Sequence, residues 1–333
     1  MSEPIIAVVG ATGVVGKQII QALLLKDHPA DHVRAFSSER GAGEEADYGD
    51  DTLTIEKYGD ESLRGVQVVI LAVPPEVAKP IAETAQKLGV WAIDLSGAHR
   101  LDEKVPLVVP GVNDGVLDRP FTGRVVALAH AVTQAFTRAL EPLRAAFGLH
   151  FADVTVLGGA AMFGAPGVAH LSKQTAELMN GKDPDNEVFP HRLAFNVIPS
   201  VGPVENGLSL QERVLLVEAA RVWGGEKMPA LTATSVLVPT YHGVTLILSA
   251  HLGRRVDAEG VRATLKADSG LKVLDDPAEN IYPMPMLTTD DASIHVGRVR
   301  ALGERVQLVA ATDNAFRVAE SAIDIAFELA DRD

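Results

Sequence analysis

Three glycines near the N-terminus have the type and spacing of a phosphate-binding turn. Gly10, Gly13 and Gly16 follow an apolar run, Ile5–Val9, and lead into a segment, Gly16–Leu25, with apolar residues at helical spacing. Strand, glycine turn and helix in this order allow a tight turn and close approach of the backbone to a pyrophosphate, and the helix N-terminus offers unpaired N–H groups to the phosphates. We therefore expect a nucleotide cofactor to bind at Gly10, Ala11, Thr12, Gly13, Val14, Val15 and Gly16.

Polar residues after the second predicted strand, Val33–Phe36, bear on the choice of cofactor. Enzymes that use NAD usually place an acidic side chain there for the ribose hydroxyls, whereas enzymes that use NADP favour Arg and small polar groups. This chain has Ser37, Ser38, Glu39 and Arg40 at that point. Ser38 and Arg40 favour NADP, which is the first expectation, but Glu39 favours NAD and a plain solvated loop is also compatible.

Apolar runs alternating with helical segments predict an α/β fold. Strands at Val66–Val73 and Val90–Leu95, with a helix at Ala78–Leu88 between them, predict a doubly wound Rossmann-type sheet. Residues 1–128, joined by a C-terminal helix at 313–333, are expected to form this dinucleotide-binding domain, and residues 129–312 an α+β domain. The strands and helices expected after residue 128 are Val154–Leu157, His170–Asn180, Leu210–Trp223, Ala233–Val238, Thr245–His251, Val306–Ala311 and Ala315–Leu329.

Composition excludes several functional classes. The 333 residues carry a net charge of −14, whereas nucleic-acid binding needs clustered Lys and Arg. Neither a long apolar span nor a signal peptide is visible, so we expect a cytoplasmic protein without a membrane partner. The chain contains no Cys, which excludes disulfides, thiolate-zinc sites and thiol nucleophiles.

The histidines offer no metal site by spacing. His28 and His32 are four residues apart, but Pro29 between them argues against a shared helical face. We expect both to be solvated loop residues, and we expect no metal.

Several segments, taken in order and spacing, resemble the aspartate-semialdehyde dehydrogenase family along nearly the whole chain. They are Gly10–Gly16, Ser37–Gly43, Ile93–Arg100, Val105–Asn113, Leu193–Pro199, His295–Arg300 and Asp313–Asn314. Ile93–Arg100 is also similar to the N-acetyl-glutamyl-phosphate reductases, but Val105–Asn113 favours the semialdehyde group. The resemblance implies an NADP-dependent oxidoreductase of amino-acid biosynthesis and a homodimer built through the sheet of the second domain. In that family a cysteine thiolate attacks the aldehyde, hydride leaves for NADP, and phosphate cleaves the thioester.

The residues that match the family's reactive positions lack the groups that this chemistry needs. With Leu140–Leu143 fixing the register, the nucleophile position is Ala131 and the position of the base is Val244. The family's substrate-binding Arg and Gln match Leu237 and Gly158.

Other matching residues remain. Arg100 resembles the family's phosphate-contacting Arg, and Glu212 the Glu that holds the substrate amino group. Asn314 resembles a cofactor-binding residue, although Ala315–Arg317 departs from the family pattern at the nicotinamide end.

We therefore expect a dimeric, NADP-binding protein that lacks the reductive dephosphorylation and aldehyde dehydrogenase activity of the family. A rerouted site with Thr133 as nucleophile and His130 as base is one alternative. His242 is two residues from Val244, a shift that in a strand keeps the face but moves the side chain about 6–7 Å. A second alternative is direct hydride transfer from NADPH to another aldehyde, ketone or imine, with His130 or Tyr241 as the acid. The physiological ligand is unknown, and a structural protein with an empty nucleotide fold is the third alternative.

Overall fold

The chain folds into two compact units that are described separately. The computed structural model describes residues 3–59, 61–225, 228–289 and 291–332. The first unit consists of Met1–His130 with Ala315–Asp333, and the second of Ala131–Asn314. The sequence-based boundaries, 128/129 and 312/313, differ from these by two residues, and the predicted ranges also include Met1, Ser2 and Asp333, which lie outside the described residues.

A parallel sheet is the centre of the first unit. In chain order its elements are β1 (Ile6–Val9), α1 (Val14–Leu25), β2 (Val33–Ser37), β3 (Glu45–Tyr48), β4 (Asp51–Lys57), β5 (Val68–Leu71), α2 (Pro75–Leu88), β6 (Trp91–Asp94), β7 (Leu107–Val108) and β8 (Val125–Leu128). The strand order is β3-β4-β2-β1-β5-β6-β8-β7, and every pair except β3–β4 is parallel. Because β1 lies between β2 and β5, the order reverses beside the glycine turn, which is where such sheets bind ligands.

The second unit contains a mixed sheet and its covering helices. Its elements are α3 (Ala131–Phe147), β9 (Leu149–Gly158), α4 (Gly164–Met179), β10 (Val204–Glu205), β11 (Leu208–Ser209), α5 (Leu210–Trp223), β12 (Ala230–Leu237), β13 (Val244–Leu252), α6 (Ala258–Lys266), β14 (Leu271–Val273), β15 (Ile294–Leu302) and β16 (Arg305–Thr312). The main sheet has the order β12-β9-β13-β16-β15-β14. Burial alternates along β13, and α3 packs on β9, β13, β15 and β16, so one face of the sheet is covered within the chain.

These elements confirm the predicted fold class, a Rossmann-like domain followed by an α+β domain. The final helix, α7 (Asn314–Ala330), belongs almost entirely to the first unit, where Lys26 Nζ lies 2.9 Å from Asp324 Oδ1. Within the described residues, no helix combines the length and the apolar character needed to cross a bilayer.

The structure differs from the sequence-based elements in places that have a physical reason. Helix α1 begins at Val14, two residues before the predicted Gly16, because the glycine turn already contributes the first helical turn. The hairpin β3–β4 was not predicted, since its buried residues are confined to Tyr48, Leu53 and Ile55 among exposed polar ones. Tertiary pairing with β2 stabilises this weakly patterned segment.

The expectation that His28 is solvated is wrong. Its ring is buried and lies edge-on to Phe327 of α7, with 5.5 Å between ring centroids, and Tyr48 Oη donates to its carbonyl oxygen at 2.7 Å. Burial lowers the pKa of His28, although the Glu3 carboxylate lies 3.5 Å from Nδ1. The sequence around residue 28 carries no sign of this burial because the covering helix comes from the other end of the chain.

A bidentate ion pair ties α3 to the turn after α6 in the second unit. Arg138 Nη1 and Nη2 lie 2.6 and 2.5 Å from the two carboxylate oxygens of Asp268, and Arg138 is only 8% exposed. A Cβ atom at Gly270 would lie 2.7 Å from Arg138 Nη2, so the turn packs closely on the guanidinium.

We expect Asp268→Ala to lower the free energy of unfolding by about 3 kcal/mol, because it leaves a mostly buried guanidinium without its carboxylate. Urea denaturation followed by circular dichroism measures the change. Asp183→Ala, which removes an exposed carboxylate from a loop of the same unit, is the control and should change stability by less than about 0.5 kcal/mol. Equal, small effects of the two substitutions would show that the pair does not hold α3 to this turn.

Candidate functional site

Two glycines of the N-terminal turn are required by the packing of the chain itself. Gly10 has φ +97°, and a Cβ atom there would lie 2.2 Å from the carbonyl oxygen of Ala72. A Cβ atom at Gly16 would lie 2.1 Å from the carbonyl oxygen of Gly10. Any side chain at either position would force the turn apart.

Gly13 is less constrained, because a side chain there would meet one backbone atom at a tight but not prohibitive distance. It is the N-cap of α1 with φ −74°, and a Cβ atom would meet only Gly10 O, at 3.2 Å. Gly13 and Val14 are exposed, Thr12 and Val15 are half-buried, and the first turn of α1 carries no acidic residue. The first N–H groups of a helix lack intrahelical acceptors, so this end of α1 suits an anion.

The loop after β2 lies against the glycine turn. Ser37 is buried at the end of β2, whereas Ser38 and Arg40 are exposed. A Cβ atom at Gly41 would lie 2.6 Å from Thr12 Cγ2 and 2.9 Å from Ser37 Oγ. The two segments predicted to contact the cofactor are therefore neighbours.

The charges on this loop are not equivalent. Glu39 Oε1 lies 3.2 Å from Lys57 Nζ, at the end of β4. Arg40 forms no ion pair with any residue that the structure describes. Lys57 was missed by the sequence analysis, because its nearness to Glu39 depends on the pairing of β2 with β4.

The segment that leads to Arg100 is organised by a buried carboxylate. Asp94, fully buried at the end of β6, accepts from the backbone N–H groups of Ser96 at 2.8 Å and His99 at 2.9 Å, and its Oδ2 lies 2.9 Å from His99 Nδ1. Burial alone would raise the pKa of Asp94, but the hydrogen bonds from His99 and Ser96 outweigh it and lower that pKa. The sequence signal, Asp followed two residues later by Ser, is that of a side chain that closes a local turn.

Arg100 is itself held by the backbone. Its Nε donates to Leu128 O at 2.8 Å and its Nη2 to Leu95 O at 2.7 Å, so it braces the ends of β6 and β8. The residue that resembles the family's phosphate ligand therefore has a structural function as well.

His130, two residues after β8, is a poor proton donor. Burial and the positive charge of Arg100 lower the pKa of His130 to about 3. The imidazole is therefore neutral at pH 7, and a protonated form able to act as a general acid is disfavoured.

In the second unit, the positions that the resemblance aligns with the family's Arg, Gln and His form one row across three strands. Gly158 on β9 is directly opposite Leu237 on β12 and Val244 on β13, and Thr312 of β16 is opposite Val244. Residues directly opposite one another lie on the same face of a sheet. Leu237, Val244 and Thr312 are fully buried.

An apolar side chain covers the middle of this row. A Cβ atom at Gly158 would lie 1.9 Å from Met162 Sδ, so the thioether occupies the space of a side chain at that position. Leu237 packs in a cluster with Ala160, Leu171 and Phe189, against which Met162 also packs. The row is therefore both apolar and closed by packing.

Several other residues considered for catalysis lie in the second unit. Ala131 is the first residue of α3 and is 6% exposed. Thr133 is fully buried in the same helix, and its Oγ1 has no hydrogen-bond partner among the described residues. His242 lies in the turn before β13, which begins at Val244 after Gly243 with φ +74°. His242 is exposed, as is Tyr241.

Glu212 has a structural function that the sequence analysis did not assign. Its Oε2 accepts from Ser209 N and its Oε1 from Ser235 N, both at 2.7 Å, while its own N–H donates to Ser209 Oγ. Burial alone would raise the pKa of Glu212, but the hydrogen bonds from Ser209 and Ser235 outweigh it and lower that pKa. Ser209-x-x-Glu212 is a capping box, recognisable from sequence, that starts α5. Asn314 is the first residue of α7.

Family comparisons cover most of the chain. The profile described as semialdehyde dehydrogenase, NAD binding domain, matches residues 5–119, and the one described as semialdehyde dehydrogenase, dimerisation domain, matches residues 140–317. The aspartate-semialdehyde dehydrogenase of Bacillus subtilis (strain 168) is 31% identical over 306 residues, covering 89% of this chain and 87% of its own. The USG-1 protein homolog of Azotobacter vinelandii is 30% identical over 271 residues, covering 81% and 80%.

A solved structure agrees over the whole length. Aspartate semialdehyde dehydrogenase II from Vibrio cholerae, crystallised with ASA, superposes with a TM-score of 0.91 at 25% identity and covers 100% of this chain and 99% of its own. Sequence and fold thus lead to one assignment: the chain belongs to the aspartate-semialdehyde dehydrogenase family.

Proposed function

We propose that this chain is a dimeric, NADP-binding member of the family that does not catalyse thioester-forming oxidation of aspartate semialdehyde or its reverse. The observation that carries the proposal is the buried apolar row Leu237, Gly158 and Val244. These residues match the family's Arg, Gln and His, and Met162 packs over the middle of them. With apolar residues at these positions, the chain lacks both the side chains that would bind the substrate carboxylate and the base.

The nucleophile position adds to the same deficit. Ala131 carries a methyl group, and the 333 residues contain no Cys. Nucleophilic attack, proton transfer and substrate orientation each lower the barrier by several kcal/mol, and groups that act as a unit fail as a unit. Replacing all of them with apolar side chains leaves no route through a covalent intermediate.

Cofactor binding rests on the first unit. Gly13 is a glycine although the chain's own packing constrains it less than Gly10 or Gly16, which is consistent with close approach of a pyrophosphate. Arg40 and Ser38 are exposed, whereas Glu39 is paired with Lys57. The loop thus carries an uncommitted cation, which favours the 2′-phosphate of NADP over the ribose hydroxyls of NAD.

Dimer formation rests on the uncovered face of the main sheet. Phe151, Ile247 and Leu302 are 36%, 42% and 82% exposed, although they belong to strands whose other face is buried. A groove of about 540 Å³ lies along the same strands, lined by Phe151, His251, Leu302 and Arg305 among others. A second copy related by a two-fold axis would cover this face.

Direct hydride transfer to another aldehyde, ketone or imine gains no support from the two proposed acids. His130 is neutral at pH 7 because of its pKa of about 3, and Tyr241 is 41% exposed in a turn. We therefore do not propose an enzymatic activity for the cofactor-bound protein.

We expect Gly13→Ala to fold after a small shift of the Gly10 carbonyl and to weaken NADPH binding at least about tenfold, because the methyl group enters the approach path of the pyrophosphate. Fluorescence titration of NADPH measures the dissociation constant, and thermal unfolding checks the fold. Gly115→Ala is the matched control, since a Cβ atom at position 115 meets no atom within 4 Å.

Two results would contradict the cofactor assignment. One is a wild-type protein that binds no NADPH at millimolar concentration. The other is a Gly13→Ala variant with unchanged affinity.

We expect no turnover of aspartate semialdehyde with phosphate and NADP, measured as NADPH absorbance, under conditions in which the Bacillus subtilis relative supplies the positive control. Ala131→Cys should remain inactive, because the added thiol still lacks a base and a charged clamp. Addition of Val244→His and Leu237→Arg should not rescue it while Met162 blocks position 158. A wild-type rate near about 10 per second would overturn the proposal.

A further inference from the structure

The pairing of β2 with β4 places Lys57 next to the loop of Ser38, Glu39 and Arg40, which is proposed to contact the cofactor. Strands β2 and β4 are parallel neighbours, and their register sets Lys57 opposite Ser37, the last residue of β2 before the loop. Both strands end at this point, and the Lys57 side chain reaches Glu39 in the loop that follows β2.

The partner of Lys57 is Glu39, the acidic residue next to Arg40 in this loop. Lys57 Nζ lies 3.2 Å from Glu39 Oε1, and the adjacent acid on β4, Glu56, is instead paired with Arg34 at 3.6 Å. Both members of the Lys57–Glu39 pair are well exposed, so the pair contributes little to stability. Its consequence is electrostatic, because it cancels the negative charge next to Arg40.

That cancellation bears directly on the choice between the two nicotinamide cofactors. A free carboxylate at this point would accept hydrogen bonds from the adenosine ribose of NAD and would repel the 2′-phosphate of NADP. With the carboxylate held by an ammonium group, the repulsion falls and Arg40 can act on the phosphate. On this reasoning the Lys57–Glu39 pair favours NADP, whereas the sequence alone leaves Glu39 and Arg40 in conflict.

We propose that Lys57 determines cofactor specificity by neutralising Glu39. The proposal rests on the proposed binding of NADP by this chain. Lys57 acts on the cofactor through Glu39, so it is a positioning residue, and its effect depends on the presence of that carboxylate.

The test is a double-mutant cycle with Lys57→Met, Glu39→Gln and the double variant, using NADPH and NADH as separate probes at low ionic strength, where exposed charges are least screened. Lys57→Met should weaken NADPH binding about fivefold and tighten NADH binding by up to about twofold, because the freed carboxylate repels the 2′-phosphate and accepts hydrogen bonds from the ribose of NADH. The double variant should regain NADPH affinity to within about twofold of wild type. Lys79→Met, which removes an exposed lysine of the same unit from α2, controls for the change in net charge and should alter neither affinity.

The outcomes separate this proposal from the one on which it rests. If wild type binds neither cofactor, the proposed function fails. If wild type binds NADPH but Lys57→Met keeps the same ratio of NADPH to NADH affinity, Lys57 does not determine specificity. A double variant as weak as Lys57→Met would also overturn the proposal, because the lysine would then act independently of Glu39.

Discussion

The hydrogen-bond register between β9 and its two neighbours decides what the second unit offers chemically. That register aligns Leu237, Gly158 and Val244 side by side on the covered face of the sheet. Residues opposite one another in a sheet share one environment, so the three positions of this row must suit the same polar or apolar surroundings. Here the group is apolar and Met162 fills the gap over Gly158, so a single substitution meets a packed core and not an open pocket.

In the first unit, several residues of the expected cofactor site also stabilise the fold. Gly10 and Gly16 are fixed by the fold, because their backbones approach Ala72 and each other too closely for a side chain. Asp94 still arranges the segment that ends in Arg100, and Arg100 still braces two strand ends. The elements that would hold a cofactor are therefore also elements that hold the domain together.

Much of the fold was accessible from sequence where a local pattern determines local structure. The glycine turn after a buried strand identified the nucleotide-binding domain, and the helix predicted at Leu210–Trp223 has those bounds in the structure. The capping box formed by Ser209 and Glu212 is visible in the sequence in the same way, although the family resemblance pointed to Glu212 as a substrate-binding residue. Burial of His28 and the contact of Lys57 with Glu39 were not readable, since each depends on segments that the fold brings together from elsewhere in the chain. The apolar row required both the family resemblance, which named its members, and the strand register, which showed that they are neighbours.

The central claim, that no side chain of this protein becomes covalently joined to the substrate, is tested most directly by intact-mass spectrometry. The protein would be incubated with aspartate semialdehyde and NADP in the absence of phosphate, a condition in which an acyl-enzyme cannot be released by phosphorolysis. The account predicts that the protein keeps its unmodified mass while the Bacillus subtilis relative gains the mass of an acyl group. An acyl adduct on this chain, mapped by peptide analysis to a residue of the second unit, would contradict it.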